Sequence, residues 1–202
     1  MDFGWKRIWG LYGWKELLSK RNKLFYFSAI SNLIFIIILL ISNHDANLPF
    51  ELINKVLNIA LGSLPTLLGF NLGAFALIIG FLSNENLVKA LTEKHGSESP
   101  YHIEKISGVF AFNIIAQAIA LLFSFLLSLI IDILDNINFE GILGNLNHNA
   151  TSAIVTNYFI LFITNFLTLY SIALVIQNAI NIFDFNQLFT FFSIKKKEEK
   201  NK

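Results

Sequence analysis

The run ISGVFAFNIIAQAIALLFSFLLSLII, residues 106–131, contains no Asp, Glu, Lys, Arg or His. A helix needs about 20 consecutive apolar residues to cross the hydrocarbon of a bilayer, and this run exceeds that length. Three more runs of the same kind lie at residues 25–42, 56–82 and 153–183. The shortest, 25–42, reaches the length once Leu24 and Asn43 flank it. None alternates polar and apolar residues at period two, as the strands of a membrane β-barrel would. The chain therefore reads as an all-α integral membrane protein with four transmembrane helices. Composition agrees: at 54% hydrophobic and 14% charged, a chain of 202 residues is too apolar for an ordinary soluble domain.

The distribution of cations sets the expected orientation. Fourteen of the 15 Lys and Arg residues lie before the first run, between the second and third, or after the fourth; Lys55 is the exception. Basic residues in short loops stay on the cytoplasmic side, so both termini are expected to be cytoplasmic. The usage of Ile, Phe, Asn and Lys resembles that of an AT-rich bacterial genome, which makes a bacterial cytoplasmic (inner) membrane the expected location. The first run does not read as a cleavable signal peptide. It starts late, is longer than a signal h-region, and Ser42-Asn43-His44 lacks the small-residue cleavage pattern. Absence of cysteine excludes disulfides, thiolate metal sites and lipidated Cys.

The chain falls into three regions: a cytoplasmic interfacial segment (1–24), a four-helix transmembrane bundle (25–183) and a cytoplasmic basic tail (184–202). In the first, Trp5, Ile8, Trp9 and Tyr12 fall on one helical face with Lys6 and Arg7 turned away. With Trp14, this is the pattern of an amphipathic helix lying in the headgroup plane. In the tail, Phe residues precede Lys195, Lys196 and Lys197, a second interfacial anchor held by apolar burial and anionic lipid. The last five or six residues are expected to be disordered. Between the first two runs, Pro49 marks a helix start. Pro65 interrupts the second run, because proline removes a backbone bond and crowds the preceding turn. The reading is a short interfacial helix at 50–61, a break, then a span from 64 to 82, with one unbroken kinked helix as the alternative. Residues 83–105 read as a loop, and residues 136–149 as an Asn-rich outer connection. Asn149-Ala150-Thr151 matches a glycosylation sequon by chance.

Within the spans, three sets of residues stand out. Gly62, Gly69, Gly73, Ala76 and Gly80 form a small-residue stripe on one face of the second, where two helix backbones can approach closely. The sequence leaves open whether the partner is another span or a second copy. In the third span Asn113, Gln117, Ser124, Ser128 and Asp132 share one narrow face. In the fourth Asn157, Thr164, Thr168, Ser171 and Asn178 do the same. Polar groups are costly against hydrocarbon, so both stripes should point inward, either as hydrogen-bonded glue between helices or as the lining of a hydrated path.

No ionisable residue lies near the middle of any span, which disfavours an ion-coupled transporter and excludes a voltage sensor. His44, Asp45 and His148 share the outer side but carry only a weak metal signal, so no metal and no cofactor are expected. His95 and His102 read as ordinary loop histidines. No nucleophile elbow, phosphate loop, zinc-protease or paired-carboxylate motif is present, and an enzyme is not expected. The basic regions are too short and membrane-proximal for direct nucleic-acid binding.

In size, topology and number of spans, across the whole chain, the sequence resembles the four-span membrane subunit of the bacterial Kiwa antiphage defence system. That resemblance implies a homo-oligomeric membrane sensor working with a separate cytoplasmic effector that acts on nucleic acid. The residues themselves suggest a non-enzymatic oligomeric sensor or scaffold in the lipid bilayer, docking a cytoplasmic protein partner. Its packing would shift around Pro65 and Gly69 to Gly73 when the bilayer is disturbed. Two alternatives stand beside it. One is an oligomeric pore or channel, lined by a polar stripe, that permeabilises the membrane. The other is a transporter for a small uncharged solute, whose site would need no charge.

Overall fold

The computed structural model describes residues 22–42, 48–81, 102–136 and 150–200, and every one of these segments is helical. The helices are α1 (Lys23–Ser42), α2 (Leu48–Phe81), α3 (His102–Asn136) and α4 (Ala150–Lys200). All four are long and apolar enough to cross a membrane, so the protein is an all-α, multi-pass membrane protein. The interfacial segment with Trp5, Trp9 and Trp14 lies outside the described residues, as do the two connections around residues 82–101 and 137–149.

The side chains are laid out in reverse of a soluble fold. On α1 the buried residues are Ser28, Asn32, Ile36 and Leu39, spaced by four, four and three. Ile30, Leu33, Ile34, Ile37, Ile38 and Ile41 point outward. Water would penalise that exterior, whereas lipid tails are as apolar as the side chains they meet. Asn22 stands at the N-cap position, where an Asn side chain can satisfy a free backbone N–H.

Three boundaries differ from the sequence expectation, the first being the start of α3 at His102, inside the stretch read as a loop at 83–105. α2 is one helix of 34 residues with Pro65 inside it, so there is no separate interfacial helix at 50–61 and no break before residue 64. Proline costs a helix interior about 3 kcal/mol. A break at that depth would strip several N–H and C=O groups of partners, each costing several kcal/mol in hydrocarbon, so the unbroken helix wins. Pro49 occupies the first turn, where its missing N–H is not needed. α4 runs through residue 184 to Lys200, so the basic tail is a continuation of the fourth span and its described part is not disordered. Residues 150–200 contain neither Gly nor Pro, and nothing in them stops a helix.

The chain divides into two compact units. The first comprises Lys23–Thr66 and Ala116–Ala173, and so takes in all of α1 with parts of the other three helices. Its apolar core joins Ile36 and Leu39 of α1, Ile53 and Leu57 of α2, Ile131 of α3 and Leu161 of α4. Phe25 meets Phe166 and Tyr170 edge-on, with ring centres 5.5 and 5.6 Å apart, which locks the start of α1 onto α4. The second unit comprises Met1–Asn22, Leu67–Ile115 and Leu174–Lys202, and its described helical residues belong to three helices. Its core is Ala74 and Ile78 of α2, Phe110 of α3 and Phe185 of α4. Phe75 stacks on Phe110 at 6.0 Å, and Phe81 lies 5.0 Å from Phe189.

Candidate functional site: buried amides and an open glycine face

The polar stripes of α3 and α4 are largely enclosed. Asn113, Gln117, Ser124, Thr164, Thr168, Ser171 and Asn178 are all buried, at 4% exposure or less. Ser128 and Asn157 are only half-buried and Asp132 is exposed, so the inward stripe stops short of these three. Asp132 lies near the end of the candidate span Ser107–Leu134, where a carboxylate can reach the interface.

Both units use these groups to join helices. In the three-helix unit Asn113 Nδ2 donates to Asn178 Oδ1 at 2.6 Å. In the four-helix unit Gln117 Nε2 donates to the Ser171 carbonyl at 2.9 Å. Thr164 and Thr168 behave differently. Their hydroxyls donate to the carbonyls of Ile160 and Thr164, one turn back on the same helix, both at 2.8 Å. A hydroxyl so bonded can sit at an apolar contact without needing a partner on another helix. These four hydrogen bonds run within a helix or between helices of one chain.

A further constellation was not singled out in the sequence. Asn32, fully buried on α1, donates from Nδ2 to the Phe162 carbonyl at 2.9 Å and accepts at Oδ1 from Asn165 Nδ2 at 2.7 Å. Asn71 on α2 is also fully buried. Asn71 is a single amide between apolar Phe70 and Leu72, and Asn32 follows Ser31 in an otherwise apolar run; an amide within an apolar run was the available signal.

The glycine stripe turns the other way. Gly62, Gly69, Gly73, Ala76 and Gly80 are all exposed. A Cβ built on any of the four glycines would meet no atom within 4 Å. Among the described residues nothing packs on the stripe, and α2 turns Ile53, Leu57, Ala60, Leu64, Asn71, Ala74 and Ile78 inward instead. Pro65 lies on the same open face.

Among the described residues no group of three or more His, Asp or Glu could hold a metal ion. His44, Asp45, His95 and His148 lie outside them. The side chains of Lys195, Lys196 and Lys197 are likewise not described, although their backbone is helical. No protein-family model, curated protein or solved structure matches the chain.

Proposed function

We propose that the chain is a non-enzymatic membrane sensor or scaffold that self-associates through the glycine face of α2 and docks a cytoplasmic protein. The observation that carries this reading is the open stripe itself, with no described residue within 4 Å of a Cβ at Gly62, Gly69, Gly73 or Gly80. Lipid supplies no hydrophobic drive between helices, so spans associate where small residues let backbones approach. A stripe that no span of its own chain fills is open to the α2 helix of a second copy.

The length of α4 supports the docking half of the reading. Its 51 residues extend about 76 Å at 1.5 Å per residue. The bilayer with its headgroups is about 40–45 Å thick, so whole turns remain for a partner to grip. The distribution of Lys and Arg favours both termini, and with them the Lys195 to Lys197 end of α4, on the cytoplasmic side of a bacterial inner membrane. The likeness of plan to the Kiwa subunit would give such a sensor its setting, phage defence, with catalysis left to a separate effector.

Crosslinking of the full chain in native membranes tests this. The parent is expected to form dimers or higher species that a Gly69→Leu, Gly73→Leu double variant loses, while remaining inserted. A parent that stays strictly monomeric, with no co-purifying protein, removes the proposal. A reporter active only in the cytoplasm, fused after Lys202, should be active.

A further inference from the structure

We infer that residues 1–21 pack their tryptophan face on the back of α3, as a fourth element of the three-helix unit, instead of lying on the lipid surface. α3 is unevenly covered. From Ser107 to Gln117, about three turns, not one residue is exposed. From Ala118 to Leu134 the same helix bares Ile119, Leu122, Phe125, Leu126, Leu129 and Ile130, although there it lies in the unit of four helices. A helix held by two neighbours keeps a bare stripe on the side away from them. Here Asn113 and Gln117 face α4, and Phe110 faces α2 and the core. Gly108, Phe112 and Ile115, spaced by four and three, form the opposite face. Gly108 and Phe112 are buried and Ile115 is half-buried. Phe112, a large ring at 9% exposure, belongs to neither apolar core. Something beyond the described helices covers this back face.

The structure is of one chain, so the cover belongs to that chain. Two stretches of useful length outside the described helices fall in this unit, residues 1–21 and the connection 82–101. The connection enters α3 at His102 and carries Asn84, Glu85, Lys89, Glu93 and Lys94, poor material to lay on Phe112 and Ile115. Residues 1–21 offer Trp5, Ile8, Trp9 and Tyr12 on one face. They also arrive in the right place. Phe25 packs on Tyr170 of α4, and Ser171, the next residue there, accepts the bond from Gln117. The start of α1 is thus level with Gln117, where the covered stretch ends. Asn22, which joins the segment to α1, is itself only 9% exposed. As a helix, residues 1–21 would extend about 31 Å, ample for the ~15 Å from Gln117 to Ser107. The apolar face that suits a lipid surface equally suits Phe112 and Ile115, and Lys6 and Arg7 then turn toward headgroups or water. The inference is independent of self-association through α2 and of partner docking.

All three tryptophans lie in the segment, so its surroundings can be read in the full chain. Trp14 falls nine residues after Trp5, on the opposite side of a helix, and Trp14→Phe leaves Trp5 and Trp9 to report. In bilayers of phosphatidylcholine with brominated acyl chains, their emission should keep more than about half of its value in unbrominated lipid, because the rings turn away from the acyl chains. Loss of nearly all emission, as for a helix lying on the surface, overturns the inference. The absence of native cysteine allows a second test. Phe112→Cys is combined in turn with Trp5→Cys, Ile8→Cys, Trp9→Cys and Tyr12→Cys, and the membranes are oxidised. At least one pair should form a disulfide within a single chain, whereas Leu126→Cys in place of Phe112→Cys should form none. No disulfide from any of the four pairs overturns the inference. So does a disulfide that Phe112→Cys forms only with Leu91→Cys in the connection.

Discussion

The amide of Asn32 and the amide of Asn113 are both fully buried in helices of the same chain, yet their situations differ. Asn32 in the four-helix unit uses Nδ2 on the Phe162 carbonyl and Oδ1 on Asn165, so both ends of its amide are engaged. Asn113 in the three-helix unit makes one bond to Asn178 and leaves an acceptor buried. What separates them is the availability of a backbone carbonyl. On α4 the Phe162 carbonyl accepts from a neighbouring helix, which frees the Asn32 oxygen for Asn165. Asn113 and Asn178 have only each other among the described bonds. A buried amide satisfied at both ends fastens helices more firmly than one satisfied at one end.

Substitutions that remove each kind of contact can break or sharpen this contrast. The largest effect is expected for Asn32→Leu. It removes two interhelical bonds, worth about 0.6 kcal/mol each on average in membranes, and strands the Asn165 amide at a cost of about 1–3 kcal/mol. A destabilisation of about 2 kcal/mol or more should appear in reversible denaturation from mixed micelles. A loss no greater than that of Asn113→Leu would dissolve the contrast. Next comes Gln117→Leu, which loses the bond to the Ser171 carbonyl and should cost about 1 kcal/mol in the same titration. A neutral result would show that this buried amide fastens nothing.

Smallest are Thr164→Val and Thr168→Val. Each hydroxyl bonds a carbonyl of its own helix, and the swap keeps shape, so a change within about 0.5 kcal/mol is expected. A larger loss would mean that the hydroxyls hold another helix after all. Gly69→Leu should likewise leave monomer stability within about 0.5 kcal/mol, because no described residue lies within 4 Å of a Cβ there. A large loss would place the glycine face against the chain itself.

Much of this architecture was legible in the sequence. Four apolar runs became four helices, because length and continuity of hydrocarbon-compatible residues decide that question with little help from context. The inward direction of Asn113, Gln117, Ser124, Thr164, Thr168, Ser171 and Asn178 was legible from helical period alone. Helix ends were less so. Pro65 punctuates soluble helices, but the dry surroundings of a span raise the cost of a break above the cost of the proline. The fourth span continued to Lys200 because polar and charged residues do not stop a helix in the absence of Gly or Pro.

Asn32 escaped notice because a lone amide makes no stripe, and its partners stand 130 and 133 positions away in sequence. The glycines carried half a message. Small residues mark where a helix can be approached closely, but composition does not say by whom. Only the inward turn of Leu64, Asn71, Ala74 and Ile78 shows that the described helices of the chain do not make that approach.

The oily exterior of α1 and the polar seams beneath it change which step is driven by water. Transfer of Ile30, Ile34, Ile37 and Ile41 out of water happens on entry into the bilayer, before the helices meet. Their later assembly exchanges lipid contacts for protein contacts and brings little apolar surface out of water. The heat-capacity change of that assembly should be small, and its stability should vary gently with temperature, without the cold-side decline of soluble domains.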